Sequence, residues 1–135
     1  IQDWRVGITI CADIGFPEQY RRMAIDGIDL FTVSKVWTAS YEYIWMRCAQ
    51  GRAAENMCYL IAAGRYGPGP YSALAGHSLI VDPRGDIIQM IIDGMGYRYA
   101  VLEKAKIAAA KKGVYWLEAF MNRPELYNQP VNHQE

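Results

Sequence analysis

The sequence predicts an α/β fold, because strand-like and helical segments alternate along the chain. Residues 5–10 form an apolar, β-rich run, and Pro17 and Glu18 open a helix that Gly27 ends. Proline suits the first helical position, glutamate suits the positive end of the helix dipole, and glycine suits the residue after a helix. A second apolar strand is predicted at residues 28–34. This order of elements is typical of a βαβ unit.

The middle of the chain predicts a second helix and another strand. Residues 41–56 form the helix, and residues 57–63 are a continuous apolar run typical of a strand buried on both faces. Residues 64–76 hold four glycines and two prolines, which predicts a loop. The inner face of the helix is expected at Ile44, Trp45, Cys48, Ala49 and Ala53, which repeat at helical spacing.

The last third predicts a hairpin, a strand, a helix and a tail. Asp82-Pro83-Arg84-Gly85 has good turn chemistry and joins two strands at residues 78–81 and 86–91. Residues 97–102 are predicted to form a further strand and residues 103–112 a helix. Residues 113–135 are predicted to be an extension that packs on another part of the protein.

Composition excludes several classes of function. The chain has 135 residues, and its 14 Lys and Arg balance 14 Asp and Glu. This balance argues against a dedicated nucleic-acid or anionic-membrane binder. No apolar run approaches the roughly 20 residues that cross a bilayer. The three cysteines form no CxxC and do not cluster with histidine, so we expect no disulfide framework, no metal site and a cytoplasmic location.

Cys11 is the candidate nucleophile. It stands at the end of an apolar strand and just before a helix, where open α/β sheets usually place their chemistry. A sharp turn there would project the thiol above the sheet edge, and the helix N-terminus would favour a thiolate. Ala12 is small, so its backbone N–H would be accessible as an oxyanion donor. The alternative is that Cys11 is a small core hydrophobe.

Five segments resemble the nitrilase, or carbon–nitrogen hydrolase, superfamily, and they occur in that family's order. They are residues 11–18 (Cys-Ala-Asp-Ile-Gly-Phe-Pro-Glu), 27–30 (Gly-Ile-Asp-Leu), 52–56 (Arg-Ala-Ala-Glu-Asn), 76–85 (Gly-His-Ser to Gly) and 123–127 (Arg-Pro-Glu-Leu-Tyr). The resemblance implies a four-layer α-β-β-α sandwich. It also implies a cysteine nucleophile that forms a thioester with a small amide or carbamoyl amide, without metal or organic cofactor.

The resemblance also implies that this chain is roughly the C-terminal half of the domain. The family's general-base Glu, its Lys and a further Glu precede the Cys segment, and only ten residues precede Cys11 here. We therefore expect residues 1–112 to be the C-terminal half of the hydrolase domain and 113–135 a tail. The N-terminal half would be a partner, and the parent a homo-oligomer. Glu18, Glu42 and Glu55 do not replace the missing groups by motif position.

Several other residues have two predicted roles. Asp13 orients the turn or touches substrate, and Trp37 is a core aromatic or lines the pocket together with Ala12 and Asp13. The motif residues Pro17, Glu18, Arg52, Glu55 and Asn56 are expected to be chiefly architectural, with Arg52 and Glu55 paired on one helix. His77 invites a catalytic interpretation with Cys11, but a hydrogen-bonded structural histidine is favoured.

The departures from the family pattern bear on the substrate. True nitrilases usually place Trp-Glu after the Cys, whereas this chain has Ala12 and Asp13, which favours amidase or carbamoylase chemistry. Gly15 and Gly64 stand where many members carry Arg and Asn. Two alternatives to hydrolysis stay open: a non-catalytic fragment or pseudoenzyme that serves as an interaction module, and an enzyme that passes the acyl group to an amine.

Overall fold

The computed structural model describes residues 3–113, 123 and 125. The first half contains β1 (Val6–Ile10), a 3-10 helix (Cys11–Gly15), α1 (Pro17–Ile25), β2 (Leu30–Lys35), a second 3-10 turn (Ala39–Tyr41) and α2 (Glu42–Asn56). The second half contains β3 (Tyr59–Gly64), β4 (Tyr66–Pro68), β5 (Ala73–Ala75), β6 (Leu79–Val81), β7 (Ile87–Met90) and α3 (Lys104–Gly113). The predicted α/β class is confirmed.

One mixed sheet of five strands organises the described residues. Its order is β1-β2-β3-β6-β7, with the first three strands parallel and the last two antiparallel to their neighbours. The predicted βαβ unit is present, because β1 pairs with β2 in parallel and α1 joins them. The predicted hairpin around residues 82–85 is also present, as β6 and β7.

The helices α1 and α2 cover one face of this sheet. Trp45, Ala49 and Ala53 of α2 are fully buried and pack in one cluster with Phe31 and Val33 of β2. On the opposite face, Ile107 of α3 packs against Leu30 and Tyr59. These two clusters are the hydrophobic contacts that hold the layers together.

Part of that opposite face is open to solvent. Along β1, Gly7 and Thr9 are buried toward α1, whereas Ile8 is 78% exposed and Ile10 is 65% exposed. Side chains alternate between the two faces of a strand, so both isoleucines lie on the face away from α1 and α2. An apolar row of this kind on an edge strand is unusual for a surface left to water.

Three predicted features are wrong. Residues 97–102 pair with no strand among the described residues, and Tyr97, Tyr99 and Val101 are at least 80% exposed. The predicted loop at 64–76 contains the small hairpin of β4 and β5. Ile44 is 39% exposed, because the inner stripe of α2 runs through Glu42, Trp45, Ala49, Ala53 and Asn56 instead.

One smaller difference concerns the boundary between α2 and β3, and two other predictions concern the tail and membrane spans. Met57 was expected to begin a strand but ends α2 in the left-handed region (φ 52°), so β3 begins at Tyr59. The predicted tail at 113–135 lies almost wholly outside the described residues. Within the described part of the chain, no helix combines the length and the hydropathy of a membrane span.

Candidate active site

Cys11 lies at a sharp turn between β1 and the 3-10 helix. Its φ is +49°, in the left-handed region that side chains other than glycine rarely occupy. The thiol is half-buried, and Sγ lies 3.7 Å from the carbonyl oxygen of Val36, to which it donates. Backbone strain of this kind, on the order of 1–3 kcal/mol, persists where surrounding contacts enforce it and is concentrated at functional sites. Cys11 thus lies at a strained strand-to-helix turn that partly exposes its side chain at the end of β1.

Asp13 closes the turn around Cys11. Its Oδ2 accepts a hydrogen bond of 2.8 Å from the backbone N–H of Ile10, and its carbonyl accepts one of 3.0 Å from the N–H of Phe16. Of the two predicted roles of Asp13, these contacts are those of a residue that orients the turn. Ala12, between Cys11 and Asp13, is exposed.

The strand that leads into Cys11 is fixed by buried hydroxyls. The Thr9 and Tyr20 oxygens lie 2.6 Å apart, and the Thr9 hydroxyl is also 3.1 Å from the carbonyl oxygen of Thr32 on β2. The Tyr20 ring packs edge-on against Phe31, with 4.9 Å between ring centroids. Burial raises the pKa of Tyr20 above its ordinary value, although the hydrogen bond with Thr9 opposes that shift. The two strands and α1 are therefore tied together directly below Cys11.

Arg52 and its neighbours hold the turn from the side of α2. Arg52 donates from Nε to the carbonyl oxygen of Ile14 over 3.1 Å, and from Nη1 to Glu55 over 2.9 Å. Asn56 is fully buried and donates from Nδ2 to the carbonyl of Arg52. These contacts join α2 to the turn that carries Cys11. In α1, Pro17 is the first helical residue, and Glu18 lies exposed in the first turn.

Trp37 lies two residues beyond the end of β2, at the same edge of the sheet as Cys11. It is half-buried, and its hydrophobic contacts are with the core cluster on the helix side of the sheet. Of its two predicted roles, these contacts are those of a core aromatic.

The structure adds three residues that sequence reasoning missed or set aside. Lys35, the last residue of β2, has a side chain only 1% exposed, and its Nζ donates to Oε1 of Glu42 in α2. The same Nζ lies 3.9 Å from the centroid of the Trp45 ring. His77 Nδ1 lies 3.2 Å from Glu42 Oε1, so its nearest acidic neighbour is Glu42. Lys35, Glu42 and His77 are hereafter the buried charge cluster.

The buried charge cluster lies at the same edge of the sheet as Cys11. Ile10 pairs with Ser34 in the parallel register, so Cys11 and Lys35 are the next residues at the same strand ends. Burial lowers the pKa of Lys35 from its ordinary value, while the Glu42 carboxylate and the charge of Cys11 oppose that shift.

A signal for Lys35 was available in the sequence. Phe31, Val33 and Lys35 alternate along β2 and lie on one face, so the lysine occupies a position where the pattern requires a core residue. Lysine is almost never fully buried unless it is paired. Glu42 gave no such signal, because its burial depends on how α2 is rotated against the sheet.

Cys48 and Cys58 differ from Cys11 in their surroundings. Cys58 is 1% exposed and donates to the carbonyl oxygens of Ile28 and Asn56 over 3.0 and 3.2 Å. Burial raises its pKa to about 12. Cys48 is half-buried in the middle of α2. Because the thiolate is the reactive species, Cys58 is poorly suited to nucleophilic chemistry.

Comparison with known proteins decides the family. The family model for carbon–nitrogen hydrolases matches residues 1–112. The chain belongs to the carbon–nitrogen hydrolase family. The resemblance seen in the motifs is thereby confirmed, and the family covers both the turn at Cys11 and the buried charge cluster.

Individual relatives support the assignment to this family. The chain is 37% identical over 79 residues to 2-oxoglutaramate amidase of Bacillus subtilis, a match covering 58% of this chain and 30% of the relative. It is 38% identical over 86 residues to deaminated glutathione amidase of Synechocystis, covering 62% and 31%. The crystal structure of Saccharomyces cerevisiae Nit3, of the nitrilase superfamily, superposes with a TM-score of 0.76 at 27% identity, covering 81% of this chain and 41% of Nit3. The nitrilase fold is thereby confirmed.

The matches cover only part of each relative. The chain spans about a third of the length of the first curated relatives it matches, with shares of 32%, 30% and 28%.

Proposed function

We propose that this carbon–nitrogen hydrolase cleaves the C–N bond of a small non-peptide amide or N-carbamoyl compound, with Cys11 as nucleophile. The Cys11 sulfur attacks the carbonyl carbon, and the backbone N–H of Ala12 stabilises the oxyanion that forms. The general base takes the thiol proton and passes it to the nitrogen as the C–N bond breaks, so the amine or ammonia leaves neutral. Water then hydrolyses the thioester, which releases the acid and restores the Cys11 thiol. The observation that carries this proposal is the left-handed conformation of Cys11 at the end of β1.

We propose further that the general-base Glu and the Lys of the reaction lie outside this chain. Glu42, the most buried acid beside the site, is engaged by Lys35, and the Asp13 carboxylate is engaged by the N–H of Ile10. Neither carboxylate is therefore free to take the thiol proton. The N-terminal half of the domain would supply these groups.

The open face at Ile8 and Ile10 supports the same division of the domain. Two side chains more than 60% exposed on one strand face are what a second sheet would cover in a four-layer sandwich. We assign residues 1–112 to the C-terminal half of that domain, residues 113–135 to its tail, the parent to a homo-oligomer and its location to the cytoplasm. Copies of the parent would pair through the Cys-bearing segment and the tail.

The substrate class is supported by sequence and by named relatives. Ala12 and Asp13 replace the Trp-Glu that true nitrilases usually carry, and two relatives are amidases by name. An amide carbonyl carries an oxygen that the Ala12 N–H would bind, so amide hydrolysis suits the turn.

Thiol alkylation tests the role of Cys11. The purified chain is treated with iodoacetamide at pH 7.5, and each cysteine is followed by peptide mass spectrometry. We expect Cys11 to react faster than Cys48, which is the fair comparison because both thiols are half-buried. Equal rates for the two would overturn the assignment of Cys11 as nucleophile and favour an interaction module.

Turnover assays and native mass spectrometry test whether the general base and the Lys lie outside this chain. We expect no steady amide hydrolysis by the pure chain. Hydrolysis that Cys11→Ser abolishes would show that the described site is complete after all. Native mass spectrometry of the protein from its source should reveal a second polypeptide segment with the 15.3 kDa chain or fused to it. Product analysis with and without added amine separates hydrolysis from acyl transfer.

A further inference from the structure

One hydrogen bond at the turn encloses Cys11 itself. The Asp13 carboxylate accepts this bond, 2.8 Å long, from the backbone N–H of Ile10, and only Cys11 and Ala12 lie between the two residues. The bond therefore closes a ring through the backbone of Cys11. It has the form of one half of a capping box, in which the third residue of a helix binds the N–H of the residue before the helix.

The ring spans an abrupt change of backbone conformation. Ile10 is extended, with φ −132° and ψ 124°, whereas Cys11 is left-handed, with φ +49°. A residue with a Cβ persists in the left-handed region only where its surroundings enforce that conformation. The Asp13 carboxylate ties the residue before this change to the helix after it. The bond that Arg52 donates to the turn ends on Ile14, beyond Cys11, and so encloses no part of it.

We infer that Asp13 is a positioning residue of the nucleophile: its carboxylate, bound to the Ile10 N–H, holds Cys11 in the left-handed conformation in which the thiol reacts. This inference rests on the proposed function in taking Cys11 as the nucleophile. Asp13 touches no reacting atom in this role and acts through the backbone of Cys11. The turn requires from Asp13 an acceptor oxygen at a fixed place, and not its charge.

The charge of Asp13 and its hydrogen bond predict opposite effects on Cys11. A negative charge near a thiol disfavours the thiolate, which is the reactive species. If the charge dominated, removing Asp13 would speed the reaction of Cys11. If the hydrogen bond dominates, removing Asp13 lets the turn relax and slows the reaction, because the proposed function attributes the reactivity of Cys11 to this turn. The sign of the change therefore identifies the role of Asp13.

The experiment measures how fast Cys11 of the full chain reacts with iodoacetamide at pH 7.5, as a ratio to the rate of Cys48 in the same sample. Asp13→Ala removes both the bond and the charge and should lower this ratio by at least about threefold. Asp13→Asn removes the charge but keeps an amide oxygen that can accept from the Ile10 N–H. Its ratio should therefore stay within about twofold of the wild-type ratio or rise above it.

Asp82 offers a matched control. Its Oδ1 accepts from the backbone N–H groups of Arg84 and Asp86 over 2.8 and 3.1 Å, so it holds the β6–β7 turn by the same chemistry. Asp82→Ala should lower the urea midpoint of the chain but leave the ratio of the Cys11 and Cys48 rates unchanged. Circular dichroism checks that each variant is folded.

Two additions keep the test decisive. Hydrogen exchange at the Ile10 N–H reports the bond directly: it should be slow in the wild type and in Asp13→Asn. If Asp13→Ala does not fold, Asp13→Ser takes its place. The serine hydroxyl is one bond shorter than the carboxylate, so it should reach the Ile10 N–H poorly and also slow Cys11.

The outcomes separate the inference from the proposed function. A ratio that falls in Asp13→Ala but not in Asp13→Asn or Asp82→Ala supports the positioning role. The inference is overturned if the ratio rises or stays unchanged in Asp13→Ala, if Asp13→Asn lowers it equally, or if the Ile10 N–H of the wild type exchanges freely. If Cys11 of the wild type reacts no faster than Cys48, the proposed nucleophile itself fails, whatever the variants do.

Discussion

Arg52 donates a hydrogen bond of 3.1 Å from Nε to the carbonyl oxygen of Ile14, and so ties the middle of α2 to the turn that carries Cys11. Ile14 is fully buried. Its carbonyl has little access to water, and an unpartnered buried carbonyl is costly. The bond therefore couples the packing of α2 to the conformation of the turn at Cys11.

Arg52→Ala should lower the free energy of unfolding by about 1–3 kcal/mol, because it leaves the Ile14 carbonyl without its donor. Urea denaturation of the chain measures this. Glu55→Gln is the matched control: it removes the ion pair but leaves the bond to Ile14. The Glu55 side chain is 34% exposed, so we expect a loss below about 1 kcal/mol. Equal losses in the free energy of unfolding for the two variants would mean that the ion pair, and not the bond to Ile14, stabilises the turn.

Local rules predicted most of the fold. Pro17 begins α1, Gly27 follows its end with a φ of +86°, and Gly85 closes the β6–β7 turn with a φ of +90°. Each of these residues acts on its own neighbours, so the sequence alone identifies the turn or helix end. The predicted strand at 97–102 failed for the opposite reason: a strand needs a partner, and local apolar character does not supply one.

The candidate site also has one part that the sequence predicts and one part that it does not. Cys11 was predictable because a strand end and a helix start lie next to it in the sequence. The buried charge cluster was not, because Lys35, Glu42 and His77 meet only through tertiary packing. Glu42 reaches Lys35 only because α2 turns Trp45 and Glu42, and not Ile44, toward the sheet.

The left-handed conformation of Cys11 should have a measurable cost. Left-handed backbone costs side-chain-bearing residues roughly 1–2 kcal/mol, whereas glycine adopts it freely. We therefore expect Cys11→Gly to be more stable than Cys11→Ala by about 1 kcal/mol after the chain entropy of glycine is allowed for. Thermal and urea unfolding of both variants give the difference.

Cys48 provides the control for the comparison of Cys11→Gly with Cys11→Ala. It lies within α2, where glycine is about 1 kcal/mol less favourable than alanine. Cys48→Gly should therefore be less stable than Cys48→Ala, the reverse of the order at Cys11. If glycine is the worse residue at both positions, the turn at Cys11 is not strained.

Gly64 departs from the family pattern for a steric reason. A Cβ at this position would lie 1.9 Å from the carbonyl oxygen of Gly76, which is backbone and has no rotamer to change. The Gly64 N–H also donates to the Ser78 hydroxyl over 3.0 Å. The end of β3 and the segment carrying His77 thus approach too closely for any side chain. Gly15 is different, since nothing lies within 4 Å of a Cβ built there.

Gly64→Ala should therefore destabilise the chain by about 1–3 kcal/mol, as overpacking does. Gly51→Ala is the matched control, because Gly51 lies in α2 with nothing within 4 Å of the added Cβ. That substitution should stabilise the chain by roughly 0.5–1 kcal/mol through helix propensity. Urea denaturation of the two variants measures both values. A neutral Gly64→Ala would show that the Gly76 segment moves away at little cost.

The buried thiol of Cys58 should make the fold sensitive to alkali. Its pKa is about 12 in the folded chain against an ordinary value of 9.0. Below pH 9 both the folded and the unfolded chain keep the proton, so the thiol adds no pH dependence to the free energy of unfolding there. Between pH 9 and 12 the unfolded chain loses this proton first, and the free energy of unfolding falls by up to about 1.4 kcal/mol per pH unit.

Cys58→Ala should remove this contribution, so its stability should fall less steeply than that of the wild type between pH 9 and about pH 11. Urea midpoints at half-unit pH intervals measure the two slopes. Cys48→Ala is the control for the loss of a cysteine elsewhere in the fold, because Cys48 is half-buried rather than buried. Parallel slopes for the wild type and Cys58→Ala would mean that another group drives alkaline unfolding. Tyr20, whose pKa is raised, would then be tested in the same way with Tyr20→Phe.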